Sequence, residues 1–122
     1  MSAPLVLVVD DEALVRMNLA DCLSYGGFDV LEAEDADQAL DVLDSNPSVA
    51  ALITDVRMPG SRDGFELARE VAASKSHIRI FVMSGYVGGA DTRLPAGAVF
   101  LSKPFGQQAL MTSLTAALAN SA

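Results

Sequence analysis

The chain has 122 residues, enough for one domain, and 51% of them are hydrophobic, which suits a packed core and excludes a disordered segment. A formal net charge of -8 repels a phosphate backbone, so nucleic-acid binding is not expected. Cys22 is the single cysteine, which rules out an intramolecular disulfide, and it reads as a small buried side chain.

Strand-like and helix-like segments alternate along the chain. Leu5–Val9 reads as a fully buried strand that runs into Asp10-Asp11. It is too short for a signal-peptide core or a membrane span, so a cytoplasmic location and no membrane partner are expected. Ala13–Tyr25 reads as a helix with Val15, Leu19 and Leu23 on one face, stopped by Gly26-Gly27. Phe28–Glu32 is a second strand. Asp35–Asn46 is a second helix with Ala36, Ala39, Leu40 and Leu43 inward.

The third strand, Ala50–Thr54, runs into Asp55. Asp63–Ser74 reads as a helix anchored by Phe65, Leu67 and Val71. Ile78–Met83 is the fourth strand and runs into Ser84. The stretch that follows is rich in glycine, so the helix expected at Val87–Arg93 is short or mobile. Ala98–Leu101 is the fifth strand and leads through Ser102 to Lys103-Pro104. Gln107–Asn120 closes the chain as a helix with Leu110, Leu114 and Leu118 at i+4 spacing, a stripe that reads as core, with Met111 beside it as core or partner surface.

Five β–α units of this length predict an α/β flavodoxin-like, doubly wound, five-stranded parallel sheet with helices on both faces. The expected strand order is 2-1-3-4-5, and its switch point falls between the strands that end in Asp10-Asp11 and Asp55. Ligands bind at the carboxyl edge of such a sheet. That edge would gather three carboxylates, the Ser84 hydroxyl and the Lys103 ammonium. Each pair of like charges at about 4 Å costs on the order of 4 kcal/mol at an effective dielectric near 20. A hard divalent cation such as Mg2+ offsets that cost with oxygen ligands. A carboxylate so placed can attack phosphorus and form an aspartyl-phosphate, with the ammonium and hydroxyl meeting the phosphoryl oxygens.

Four stretches carry a resemblance to a known family: Val8-Val9-Asp10-Asp11-Glu12; Asp55 with Met58-Pro59 and Asp63-Gly64; Met83-Ser84-Gly85-Tyr86; and Lys103-Pro104-Phe105. In order and on these elements, they make the chain similar to the receiver domain of two-component response regulators, from Val6 to about Leu118. The resemblance implies that Asp55 is the phosphoacceptor. It implies that Asp11 binds Mg2+ directly, that Asp10 does so through water, and that the Arg57 carbonyl adds a third protein oxygen. It assigns Ser84 as the switch hydroxyl and Lys103 as the lysine that meets the phosphoryl group. It also implies a Lys103-Pro104 peptide bond that is often cis in the family.

Two departures stand out. The loop from Met58 to Gly64 is one residue longer than the more usual pattern and carries Arg62 near the site, with Arg57 just before it. An aromatic ring is sought two residues before the lysine, where Leu101 stands, while Phe100 points to the opposite face. On that reading the chain falls in a subset of receivers lacking the usual aromatic switch, and phosphorylation would order or shift residues 84–97.

Residues 1–122 therefore read as a single receiver domain with no output domain, a monomer or weak dimer. A histidine kinase or histidine phosphotransfer protein would donate the phosphoryl group, and output would pass through protein contacts or onward phosphotransfer. The chain would be a regulatory phosphoacceptor and not an enzyme. The alternative is a phosphorylation-independent adaptor built on a degenerate receiver. An aspartate-nucleophile phosphatase would want a second aspartate where Arg57 stands, and a flavodoxin-like cofactor carrier would not place Asp10-Asp11-Glu12 against a phosphate. Asp10-Asp11 taken alone reads as a helix cap, and His77 reads as a solvated loop residue.

Overall fold

The computed structural model describes residues 3–56, 63–84, 95, 97–102 and 106–119. Five strands form one parallel sheet: β1 (Leu5–Val9), β2 (Asp29–Ala33), β3 (Val49–Asp55), β4 (Arg79–Ser84) and β5 (Val99–Ser102). Their order is β2-β1-β3-β4-β5, as the alternating pattern predicted. Among the described residues there are four helices: α1 (Ala13–Tyr25), α2 (Ala36–Ser45), α3 (Gly64–Ser74) and α4 (Gln107–Ala119). The segment expected as a short helix at 87–93 lies outside the described residues.

Parallel strands covered on both faces need apolar side chains on both. Alternate residues of β1 show it. Leu7 and Val9 join Leu52, Ile80 and Val82 under α2 and α3. Val6 and Val8 join Ile53, Phe81 and Met83 under α1 and α4. Leu43, Phe65, Leu67 and Val71 supply the first layer; Leu23, Leu110 and Leu114 supply the second. Leu118 and Met111 pack against that second layer, so the α4 stripe is core as read.

Strand bounds shift by a residue for physical reasons. The Phe28 amide donates to the Leu23 carbonyl at 3.0 Å and so closes the end of α1, which starts β2 at Asp29. Gly27 there has φ of 100°, a conformation that costs glycine little. A Cβ on Gly26 would meet Met111 Cε of α4, the free end of a flexible side chain that can give way. β3 reaches Asp55, which puts that carboxylate on the last residue of a strand held on both sides.

Two expectations about α1 fail. Leu19 and Leu23 face inward as read, but Val15 is 37% exposed, and Arg16 and Ala20 complete the inward stripe in its place. Cys22 is half-buried and not enclosed. Leu14 and Met17 of α1 also stand in the open.

Candidate metal and phosphoacceptor site

The site forms where β1 and β3 end side by side. Their pairing sets Val9 against Thr54, so the next residues along each strand are Asp10 and Asp55. Asp10 and Asp55 are buried and Asp11 is exposed. Carboxylate oxygens of Asp10, Asp11 and Asp55 all lie within 4.8 Å of one another. Hard oxygen donors gathered from a buried floor and an exposed rim fit a cation such as Mg2+, which takes one or two carboxylates and keeps waters on its open side.

Local hydrogen bonds fix this arrangement. The Asp10 amide donates to the Ala33 carbonyl at 3.1 Å, which carries the β1–β2 ladder one step further. Asp10 Oδ1 accepts from the Glu12 amide at 2.9 Å and turns the chain toward α1. The N-cap of α1 is Glu12, and its side chain makes no capping bond. The capping reading of Asp10-Asp11 therefore fails: Asp10 shapes the turn.

Asp55 is held as firmly. Its Oδ1 accepts from the Val56 amide at 2.9 Å, which fixes the rotation of the carboxylate. The Thr54 hydroxyl donates to the Asp55 carbonyl at 2.9 Å. The Val56 amide also donates to the Met83 carbonyl at 3.1 Å, tying the end of β3 to β4. The Gly64 amide donates to the Val56 carbonyl at 2.8 Å and brings the start of α3 against this turn.

Ser84 ends β4 and pairs with Ser102 of β5, so its backbone stands on the carboxyl edge two strands from β1. The Ser84 side chain, Arg57, Arg62, Tyr86, Lys103 and the Lys103-Pro104 bond lie outside the described residues. The same holds for residues 85–94, on which the expected ordering on phosphorylation rests.

The register of β5 places Leu101 and Phe100. Leu101 pairs with Met83 and packs into the core under α1 and α4. Phe100 pairs with Val82 on the opposite face and is also half-buried, as the strand alternation implied. Leu101 stands where the sequence reading sought the ring, and it is half-buried.

Arg16 was missed. Its side chain is 15% exposed; Nη1 donates to the Asp10 carbonyl at 2.8 Å and Nε to Glu32 Oε1 at 3.0 Å. The signal was in the sequence: Arg16, Leu19, Ala20 and Leu23 follow i, i+3, i+4, i+7, which puts a cation on the inward stripe.

A parallel five-stranded sheet with a carboxylate triad at its switch point defines the class, and comparison defines the family. The response regulator receiver domain model matches residues 6–115, and the chain belongs to that family. It is 37% identical over 116 residues to the transcriptional regulatory protein FixJ of Bradyrhizobium diazoefficiens, covering 93% of this chain and 56% of that protein. It is 35% identical to the response regulator MprA of Mycobacterium sp. (strain KMS), covering 93% of this chain and 50% of that protein. The chain thus spans about half the length of the curated relatives it matches. Among solved structures, the receiver domain of the hybrid histidine kinase CckA is 32% identical with a TM-score of 0.80, covering 93% of this chain and 98% of that one. The response regulator TrrA of Thermotoga maritima, solved in complex with Mg2+ and BeF, is 28% identical with a TM-score of 0.85, covering 93% and 97%.

Receiver domains are regulatory phosphoacceptor domains of two-component systems. They bind Mg2+ at an acidic pocket and interact with histidine kinases and phosphotransfer proteins. No helix among the described residues is long and apolar enough to cross a membrane.

Proposed function

We propose that this chain accepts a phosphoryl group on Asp55 from a histidine kinase or histidine phosphotransfer protein, and that residues 1–122 act as a single receiver domain. The observation that carries the reading is the convergence of Asp10, Asp11 and Asp55 within 4.8 Å at the switch point. Asp10 and Asp11 would hold Mg2+ with Asp55 and the Arg57 carbonyl. Bound there, Mg2+ supplies positive charge that offsets the carboxylates and the phosphoryl oxygens.

The chain's own residues do the rest. An Asp55 carboxylate oxygen attacks phosphorus; an O–P bond forms as the donor's N–P bond breaks, and the imidazole leaves with the electron pair. The Val56 amide keeps that carboxylate in one rotation, which lowers the entropy cost of attack. The Lys103 ammonium and the Ser84 hydroxyl meet the phosphoryl oxygens. Output passes by protein contact or onward phosphotransfer, with no nucleic acid or membrane as direct partner of residues 1–122, which work in the cytoplasm as a monomer or weak dimer. The chain assists its own Mg2+-dependent phosphorylation and dephosphorylation but is not an enzyme.

Intact mass after incubation with a small phosphoryl donor tests this, with and without Mg2+ and beside Asp55→Asn. A Mg2+-dependent phosphoryl adduct that Asp55→Asn loses is the expected outcome. No adduct from a small donor or from a phosphorylated kinase, together with no Mg2+ binding, moves the assignment to the phosphorylation-independent adaptor.

A further inference from the structure

The geometry points to Arg16 as a positioning residue for the metal site, an inference that rests on the reading of Asp10, Asp11 and Asp55 as Mg2+ ligands. One guanidinium joins three elements. It leaves α1, donates through Nη1 to the Asp10 carbonyl at 2.8 Å, and donates through Nε to Glu32 Oε1 of β2 at 3.0 Å. The Asp10 carbonyl belongs to the peptide that carries the Asp11 amide, so holding its oxygen fixes the plane from which Asp11 leaves the chain. Asp11 is the exposed member of the triad, and the core does not set its direction.

Two further hydrogen bonds hold this turn from the Asp10 side. The Asp10 amide is bonded to Ala33, and Asp10 Oδ1 holds the Glu12 amide. Arg16 holds the peptide between Asp10 and Asp11. Glu32 keeps the fork in place, since it stands beside Val8 in the β1–β2 register and shares the face that α1 covers. Partners of this kind orient metal ligands, and losing one typically weakens metal binding about 10- to 100-fold. Lysine cannot take the place of arginine here, because its single ammonium lacks the rigid two-donor fork.

The sign of the effect separates positioning from charge. A cation near the carboxylates repels Mg2+, so if charge were its whole influence, removing it would tighten binding. If Arg16 holds the turn, removing it weakens binding. The test is Mg2+ titration followed by amide shifts in 15N–1H NMR spectra, which report affinity and folding together. Wild type, Arg16→Ala, Arg16→Lys and Lys75→Ala are compared, the last breaking the Lys75–Asp44 pair elsewhere in the fold.

The expected result is folded spectra with Mg2+ affinity about tenfold weaker in Arg16→Ala. Arg16→Lys, which keeps the charge, is also weaker, and Lys75→Ala matches wild type. Should Arg16→Ala fail to fold, Arg16→Lys carries the same test. Unchanged or tighter binding in a folded Arg16 variant, with wild type binding Mg2+, overturns this inference and leaves the site standing. No Mg2+-dependent shifts in wild type overturn the site reading, and this inference with it.

Discussion

At the scale of single residues, Gly64 shows how little space the site has. A Cβ built there would lie 2.0 Å from the Asp55 carbonyl oxygen and 2.8 Å from Val56 Cα, both backbone atoms that cannot rotate away. Gly64→Ala must push α3 off the turn after β3 or shift the Asp55 backbone. We expect destabilisation of about 1–3 kcal/mol by urea unfolding, together with slower phosphorylation of Asp55. Wild-type stability and rate in this variant would show that α3 can slide without disturbing the turn. Asp10 illustrates the opposite tension between stability and function. It is fully buried beside two other carboxylates. Asp10→Asn keeps an oxygen for the Glu12 amide and removes one of the three charges. The metal-free variant should therefore melt at a higher temperature than wild type. The further rise that Mg2+ gives wild type by mass action should vanish in it. A variant that melts lower when metal-free would mean that repulsion among these carboxylates is not what limits the fold.

At the scale of elements, the helix starts carry much of the local specification. The Asp63 side chain accepts from the Glu66 amide at 2.9 Å, and the Glu66 side chain accepts from the Asp63 amide at 3.2 Å. This reciprocal cap opens α3 at the point where it meets the site. Asp35 caps α2 through the Gln38 amide at 2.8 Å. Asp63→Ala should cost about 1 kcal/mol. In urea the midpoint should fall with the slope unchanged, since the folded state stays as compact. A midpoint equal to wild type would assign the start of α3 to packing of Phe65 and Leu67 alone. Helix α1 is specified differently, since Glu12 gives it no side-chain cap. Its start is fixed from outside, by Asp10 Oδ1 on the Glu12 amide and by Arg16 on the Asp10 carbonyl.

At the scale of the whole molecule, a net charge of -8 is spread over a small sheet whose edge concentrates three carboxylates. Screening should stabilise such a chain, and a divalent cation that fits the edge should do more than its ionic strength accounts for. Melting temperature should rise modestly with sodium chloride and further with magnesium chloride at matched ionic strength. Asp55→Asn should reduce the excess due to Mg2+. Equal effects of the two salts on wild type would leave the triad without a specific cation.

The sequence by itself determined the element types and which acidic residues end the strands, because these rest on short-range rules, and the doubly wound class then supplied the strand order. Buried parallel strands are apolar runs, helices have a 3.6-residue period, and carboxylates at strand ends meet on one edge once the crossovers share a hand. Facing directions and close approaches were decided by tertiary structure. On α1, Leu19 and Leu23 face inward as read, but Arg16 takes the inward place expected for Val15, held there by the Asp10 carbonyl. Which cluster Leu101 joins is set by the pairing of β5 with β4. The 2.0 Å limit at Gly64 arises where α3 returns to β3. A period reveals that a face exists, but what lies opposite that face depends on residues distant in the chain.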